Sequence, residues 1–166
     1  MMRALAASLL LIGLGLPLAG CGLQPIYAEG QQGVAARSLA MVAVSPIPER
    51  SGQMLQAELL RRMQPTGSPA YRLDVVLEEK IEGFGIRGDE SVARERISMI
   101  ATYRLVDVAT DKVVLEDIAK SDAGVDVVRS EYAVVEAERT AAERNADAVA
   151  NRIISRLALY FRTQSQ

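Results

Sequence analysis

The longest uninterrupted pattern in the sequence is residues 131–161, which contain neither proline nor glycine and are rich in alanine. Apolar residues recur in this stretch at spacings of three and four, which is the period of one helix face. They are Ala142, Ala146, Val149, Ile153, Leu157 and Tyr160. At about 1.5 Å per residue this helix is about 45 Å long, more than a small sheet needs. Part of the helix is therefore expected to overhang and meet a partner; the alternative is a core stripe that covers one sheet face, with a solvated charged back.

Three segments before this helix alternate between apolar and polar residues, a period of two that is typical of half-buried strands. They cover residues 71–82, 96–106 and 113–119. A glycine-rich segment, residues 83–90, separates the first two and predicts a loop, and residues 107–112 predict a turn. The pattern predicts an antiparallel meander in which one face is buried and the other is wet.

An additional strand and helix are predicted ahead of the meander. Residues 39–47 are apolar and β-branched and end among prolines, which predicts a strand buried on both faces. Ser51 is the expected N-cap of a short amphipathic helix that ends before Pro65. The predicted fold class is therefore α+β, a two-layer sandwich in the order β-α-β-β-β-α, with a largely antiparallel sheet of about four strands covered by two helices.

The beginning of the sequence has the features of a secretory signal. Arg3 precedes an apolar run, residues 4–18, which is shorter than the roughly 20 apolar residues of a membrane span. The run leads through Leu-Ala-Gly into Cys21, the only cysteine, and this resembles the bacterial lipobox. The resemblance implies cleavage before Cys21 and acylation of its thiol and new amino terminus; a structural cysteine in an uncleaved segment is the alternative. We predict a signal peptide at 1–20, a lipidated tether at 21–38 and one globular domain at 39–166.

Composition argues against most kinds of catalytic site. The sequence has no histidine, and Cys21 is its only thiol, so the usual zinc sites and Ser-His or Cys-His nucleophiles cannot form. Arg3 leaves with the signal, so 18 of the 19 Lys and Arg remain against 21 Asp and Glu, a net charge of −3. This balance gives no indication of a nucleic-acid partner. We expect no enzyme activity, no cofactor and no metal.

Two local patterns resemble the lipopolysaccharide-assembly lipoprotein family, LptE. The segment from Cys21 to Tyr27, Cys-Gly-Leu-Gln-Pro-Ile-Tyr, is similar to the Cys-Gly-Phe-x-Pro-Leu-Tyr start of that family. The segment Ser-Glu-Tyr-Ala at 130–133 is similar to the opening of its last helix, and residues 96–106 correspond to its central alternating strand. The resemblance implies a lipoprotein on the periplasmic face of the Gram-negative outer membrane, without catalysis. Such a protein plugs and helps assemble the β-barrel LptD, which delivers lipopolysaccharide to the cell surface.

Four arginines are the candidate lipopolysaccharide ligands. Arg87, Arg94 and Arg96 lie around the glycine-rich segment, and Arg104 shares a strand face with Arg96. Guanidinium groups suit the phosphates and carboxylates of such a lipid. The alternative is that they are solvated charges at a hairpin, diluted by nearby acidic residues.

Two other functions remain open from the sequence. One is a different periplasm-facing accessory lipoprotein, such as an envelope lipid-transport component or a cell-wall synthase activator. The other is a glycosidase that needs carboxylates alone, although an aromatic content of 4% without tryptophan offers little for sugar stacking. The candidate carboxylates are Glu78, Glu79, Glu82, Asp89, Glu90 and Glu95.

Overall fold

A four-stranded sheet with helices on one face forms the body of the protein. The computed structural model describes residues 33–86, 92–128 and 130–164. The elements in chain order are α1 Val34–Leu39, β1 Val42–Val44, α2 Glu49–Met63, β2 Tyr71–Ile86, β3 Val92–Asp107, β4 Lys112–Asp126 and α3 Glu131–Gln164. The strand order is β1-β2-β3-β4, with β1 parallel to β2 and the other pairs antiparallel. The predicted α+β class and the meander are confirmed.

The alternation of β3 determines which sheet face is buried. Every second residue from Ile97 to Leu105 is at most 2% exposed, whereas Arg94, Arg96 and Arg104 point to the other side and are exposed. The helices contribute their apolar stripes to the buried face, because a helix and a half-apolar sheet each need such a partner. The central helical residues are Leu55 and Leu59 of α2 and Val149, Ile153 and Leu157 of α3, all 0% exposed.

The prediction of a first strand at residues 39–47 is wrong in its length and in its first residue. Residues 34–38, assigned to the tether from the sequence, form most of α1, and Ala35 and Leu39 join the core. Strand β1 is only three residues long, Val42–Val44, and only Val42 is fully buried. The amide of Ser45 still donates to the carbonyl of Leu73 at 3.0 Å, but Pro46 and Pro48 have no N–H, so β1 cannot continue along β2.

Ser51 is not the N-cap of α2. The helix begins at Glu49, with Pro48 at the N-cap position and no side-chain cap. The Ser51 hydroxyl instead donates to Oε2 of Glu79 on β2. The Ser51 side chain, which capping rules assigned to the helix end, therefore links α2 to the sheet.

The predicted glycine loop is shorter than the sequence indicated. Gly83 and Gly85 lie within β2, and Gly85 has a φ of 76°, a backbone conformation that glycine adopts without strain. Residues 87–91 lie outside the described ranges.

Strand β4 continues to Asp126, well past its predicted end near residue 119, because it follows β3 in register. The far part of this sheet, residues 79–86, 92–97 and 122–126, is called the distal end below.

Helix α3 extends past the core at the distal end. It contains 34 residues, which corresponds to about 51 Å. None of residues 131–140 is buried, and Tyr132 and Val135 are 76% and 58% exposed. The predicted overhang is confirmed, and residues 131–140 are called the α3 arm. Within the ranges that the structure describes, none of the helices combines the length and the apolar character that crossing a bilayer requires.

Candidate functional site

The candidate arginines lie on the sheet face that the helices leave uncovered, here called the open face. Arg94 and Arg96 project from the distal end of β3, two positions apart. Arg104 lies eight residues further along the same strand, which is about 26 Å at about 3.3 Å per residue. Arg87 lies outside the described residues. The structure therefore brings Arg94 and Arg96 together and separates Arg104 from them.

Arg96 has the geometry of a ligand-facing arginine. Its Cζ lies 5.5 Å from the centroid of the Phe84 ring, a cation-π contact that keeps the guanidinium plane against an apolar surface. Its neighbour on β4 is Gly124, which has no side chain to cover it. On β2 it faces Glu82, whose carboxylate is bound to Lys80 at 2.6 Å. Among the described residues Arg96 forms no salt bridge, and its guanidinium lies beside an exposed aromatic ring.

Arg94 is partly neutralised. Its Nε donates to Oδ1 of Asp126 across the β3-β4 pair at 2.7 Å, and that hydrogen bond raises the pKa of Arg94 further. Both side chains are exposed, so solvent screens the pair and its contribution to stability is small. An anion could compete with Asp126 for this guanidinium.

Arg104 belongs to a charge-compensated row. It lies between Asp74 of β2 and Glu116 of β4. Burial pushes the pKa of Asp74 up, but hydrogen bonds from Ser45 and Arg72, with the charge of Arg104, outweigh it and hold the pKa below its usual value. Asp74 is therefore ionised at neutral pH, and Arg104 is better placed to hold the strands in register than to bind an anion.

The helix side of the distal end contains a groove that sequence patterns did not indicate. It lies between the first turns of α2 and the α3 arm, above β2 and β3. Ile81 shares the inward face with Leu73, but it is 54% exposed because the helices do not reach over it. The residues that line the groove are Arg50, Ser51, Met54, Glu79, Ile81, Ile97, Val135, Glu136, Glu138, Arg139 and Ala142.

The family of the chain follows from comparison with known sequences. A sequence model of the lipopolysaccharide-assembly family LptE matches residues 39–157, which run from the end of α1 through most of α3. The chain belongs to the LptE family. The predicted resemblance is thereby confirmed, and the match includes both the open-face arginines and the groove, whereas Cys21 precedes it.

Relatives of this LptE-family chain share its length and its fold. An uncharacterised protein of Rickettsia prowazekii is 26% identical over 144 residues, 87% of this chain and 90% of the relative. A Caulobacter crescentus protein, provisionally described as a lipoprotein, superposes with a TM-score of 0.68 at 22% identity, over 80% of this chain and 98% of that one. Rare lipoprotein B of Shewanella oneidensis superposes with a TM-score of 0.59 at 11% identity, over 75% of this chain and 97% of that one. These structures show that the sandwich described above is a shared fold.

Proposed function

We propose that this LptE-family chain is a non-enzymatic lipoprotein of the outer membrane, held on the periplasmic face by acylated Cys21. It plugs and helps assemble an LptD-like β-barrel through which lipopolysaccharide reaches the cell surface. Membership of the lipopolysaccharide-assembly family over residues 39–157 is the observation that carries the proposal. Two acyl chains or more make such an anchor lasting, whereas one holds a protein only marginally.

The surface of the body suits enclosure in a barrel. The interior wall of a large outer-membrane barrel is polar and wet. The open face presents compensated charges, with Arg94 bound to Asp126, Lys80 bound to Glu82 and Arg72 bound to Asp74. Between the charged rows lies a short apolar band that contains Val76 and Ile118, 58% and 54% exposed. A surface of this mixed kind can meet a polar wall through hydrogen bonds without aggregating before assembly.

Lipopolysaccharide contact is proposed at the distal end of the open face. Arg96 with Phe84 offers a guanidinium for a phosphate and a ring for an apolar part of the lipid, and Arg94 can exchange Asp126 for an anion. Arg87 remains a proposed member of this site from its position in the sequence. Arg104 remains the weakest of the four because its row is already compensated.

Cross-linking from two opposite sides of the body tests the plug role. One photo-reactive residue replaces Ile118, on the open face, and the other replaces Arg152, which is exposed on the outer side of α3. A plug is surrounded by its barrel, so both probes should capture the same large outer-membrane protein. An accessory lipoprotein that docks through one surface would be captured from one probe only, and that result favours the alternative role as a periplasm-facing accessory protein.

A further inference from the structure

Two carboxyl groups meet between the sheet and the α3 arm. Glu95 lies two positions before Ile97 on β3 and therefore projects to the same, helix side of the sheet, where Glu138 of the arm contacts it. When both groups are ionised neither can donate, and Oε2 of Glu95 is then buried without a hydrogen-bond partner among the described residues. A proton on Glu138 supplies the missing donor and joins helix to strand through a carboxyl-carboxylate hydrogen bond.

The neighbourhood of this pair offers little compensation for a second negative charge. The cross-strand neighbours of Glu95 are Gly83 on β2 and Val125 on β4, which carry none. Arg139, next to Glu138 on α3, is engaged with Glu136 and Glu143, and α2 and β2 bring Arg50 and Glu79 to the same groove. Within the described part of the chain, neither Glu95 nor Glu138 takes part in a salt bridge.

The α3 arm has few other attachments to the sheet. The buried polar contact nearest to the arm is made by Asn145, which is 1% exposed. Its side-chain amide donates to the carbonyl of Ile97 at 2.8 Å. Beyond it, Ile97, Val125 and Ala141 form a small buried apolar cluster. Of residues 131–140, Ala137 packs against this cluster and is only partly buried. A segment with so little buried surface opens at low cost, so one hydrogen bond can shift its equilibrium.

We propose that Glu95 and Glu138 form a pH-sensitive latch, which holds the α3 arm against β3 while the pair shares a proton and releases the arm when that proton is lost. The latch follows from the contacts of these two residues alone and is independent of whether the chain plugs a barrel.

The direction of the pH effect follows from the pKa of Glu138. Burial raises this pKa above its ordinary value of 4.5, and the charge of Glu95 and the hydrogen bond with it raise it further. A group with a raised native pKa stabilises the closed arm fully below the ordinary pKa and loses that contribution as pH rises through the native value. The arm is therefore held at acidic pH and freed towards neutral pH.

Hydrogen exchange of the full chain measures this directly. Protection factors for residues 133–140, normalised to those of 149–157, are compared between about pH 4 and about pH 8. Each unit by which the native pKa exceeds the ordinary one corresponds to a roughly tenfold fall in the closing equilibrium across that interval. Between the lower and the higher pH we expect the protection factors of the arm to fall by roughly tenfold per unit of raised pKa, while those of the buried segment of α3 stay unchanged.

Two variants and a matched control separate the latch from general effects of pH. Glu138→Gln and Glu95→Gln each leave a neutral side chain with a donor opposite one carboxyl group, so both should give an arm whose protection no longer changes with pH. Glu136→Gln alters a half-exposed carboxylate of the same arm and should retain the wild-type pH dependence. Equal protection of the wild-type arm at both pH values, or an unchanged pH dependence in Glu138→Gln and Glu95→Gln, overturns the proposal.

Discussion

Replacing Asn145 by alanine removes a buried polar contact between α3 and the sheet. The Asn145 amide is buried and donates to the carbonyl of Ile97, 48 positions away in the sequence. Asn151, on the same helix, is exposed, and its amide lies 3.3 Å from Oδ2 of Asp147. The pair of variants Asn145→Ala and Asn151→Ala therefore compares one residue type in the buried and the exposed setting.

The comparison cancels the effect of helix propensity. Alanine favours the helix over asparagine by about 0.6 kcal/mol at either position. Asn145→Ala also loses a buried hydrogen bond and leaves the Ile97 carbonyl less satisfied, which costs about 1 to 3 kcal/mol. The exposed contact of Asn151 contributes little, because water replaces it. We expect Asn145→Ala to have a free energy of unfolding about 1 to 3 kcal/mol below that of Asn151→Ala.

Urea unfolding followed by far-ultraviolet circular dichroism measures this difference, provided both variants show the same m-value. In a thermal scan the expected gap is about 3 to 9 °C at about 3 °C per kcal/mol for a domain of this size. If the two variants unfold within about 0.5 kcal/mol of each other, the Asn145 contact does not fix the helix and the argument that the arm begins beyond it fails.

Three further predictions concern the core and the open face. Leu157 is 0% exposed, so Leu157→Ala should lower the free energy of unfolding, measured in urea, by about 2 to 5 kcal/mol. Leu159 is 43% exposed, so Leu159→Ala should stay within about 0.5 kcal/mol of wild type. Burial, with the charge of Asp117, raises the pKa of Tyr103 to about 12. An ultraviolet titration should show Tyr103 ionising well above the ordinary tyrosine value of 10.0, with stability lost as pH rises from 10.0 towards about 12. Arg96→Ala should weaken lipopolysaccharide binding several-fold in a vesicle assay, and equal losses in Arg96→Ala and Arg104→Ala would contradict the separation of the two positions.

Period-two and helical patterns predicted the parts of the fold that are large and amphipathic. The alternation around Met99 and Tyr103 and the stripe through Val149 and Leu157 predict burial that the structure confirms, because burial of one face is what those periods select. The prediction of a strand that starts at residue 39 was wrong for a local reason. Ala35 and Leu39 are spaced by four, a helical signal too short to outweigh the β-branched residues that follow.

The distal end could not be predicted in the same way. Glu95 and Glu138 lie on different elements, and no spacing in the sequence pairs a strand carboxylate with a helix carboxylate. Ile81 obeys the alternation of its strand and is still exposed, because its burial depends on how far α2 and α3 reach along the sheet. The grouping of Arg104 with Arg96 assumed that a shared face means proximity, which the length of β3 rules out.

Isolation of the lipoprotein from outer membranes in mild detergent tests the plug role most directly. Native mass spectrometry of the isolated material reports both its partners and any acyl groups on Cys21. We expect a one-to-one complex with a large β-barrel and a chain that begins at an acylated Cys21. Recovery of the chain alone, from cells that contain the barrel, would contradict it.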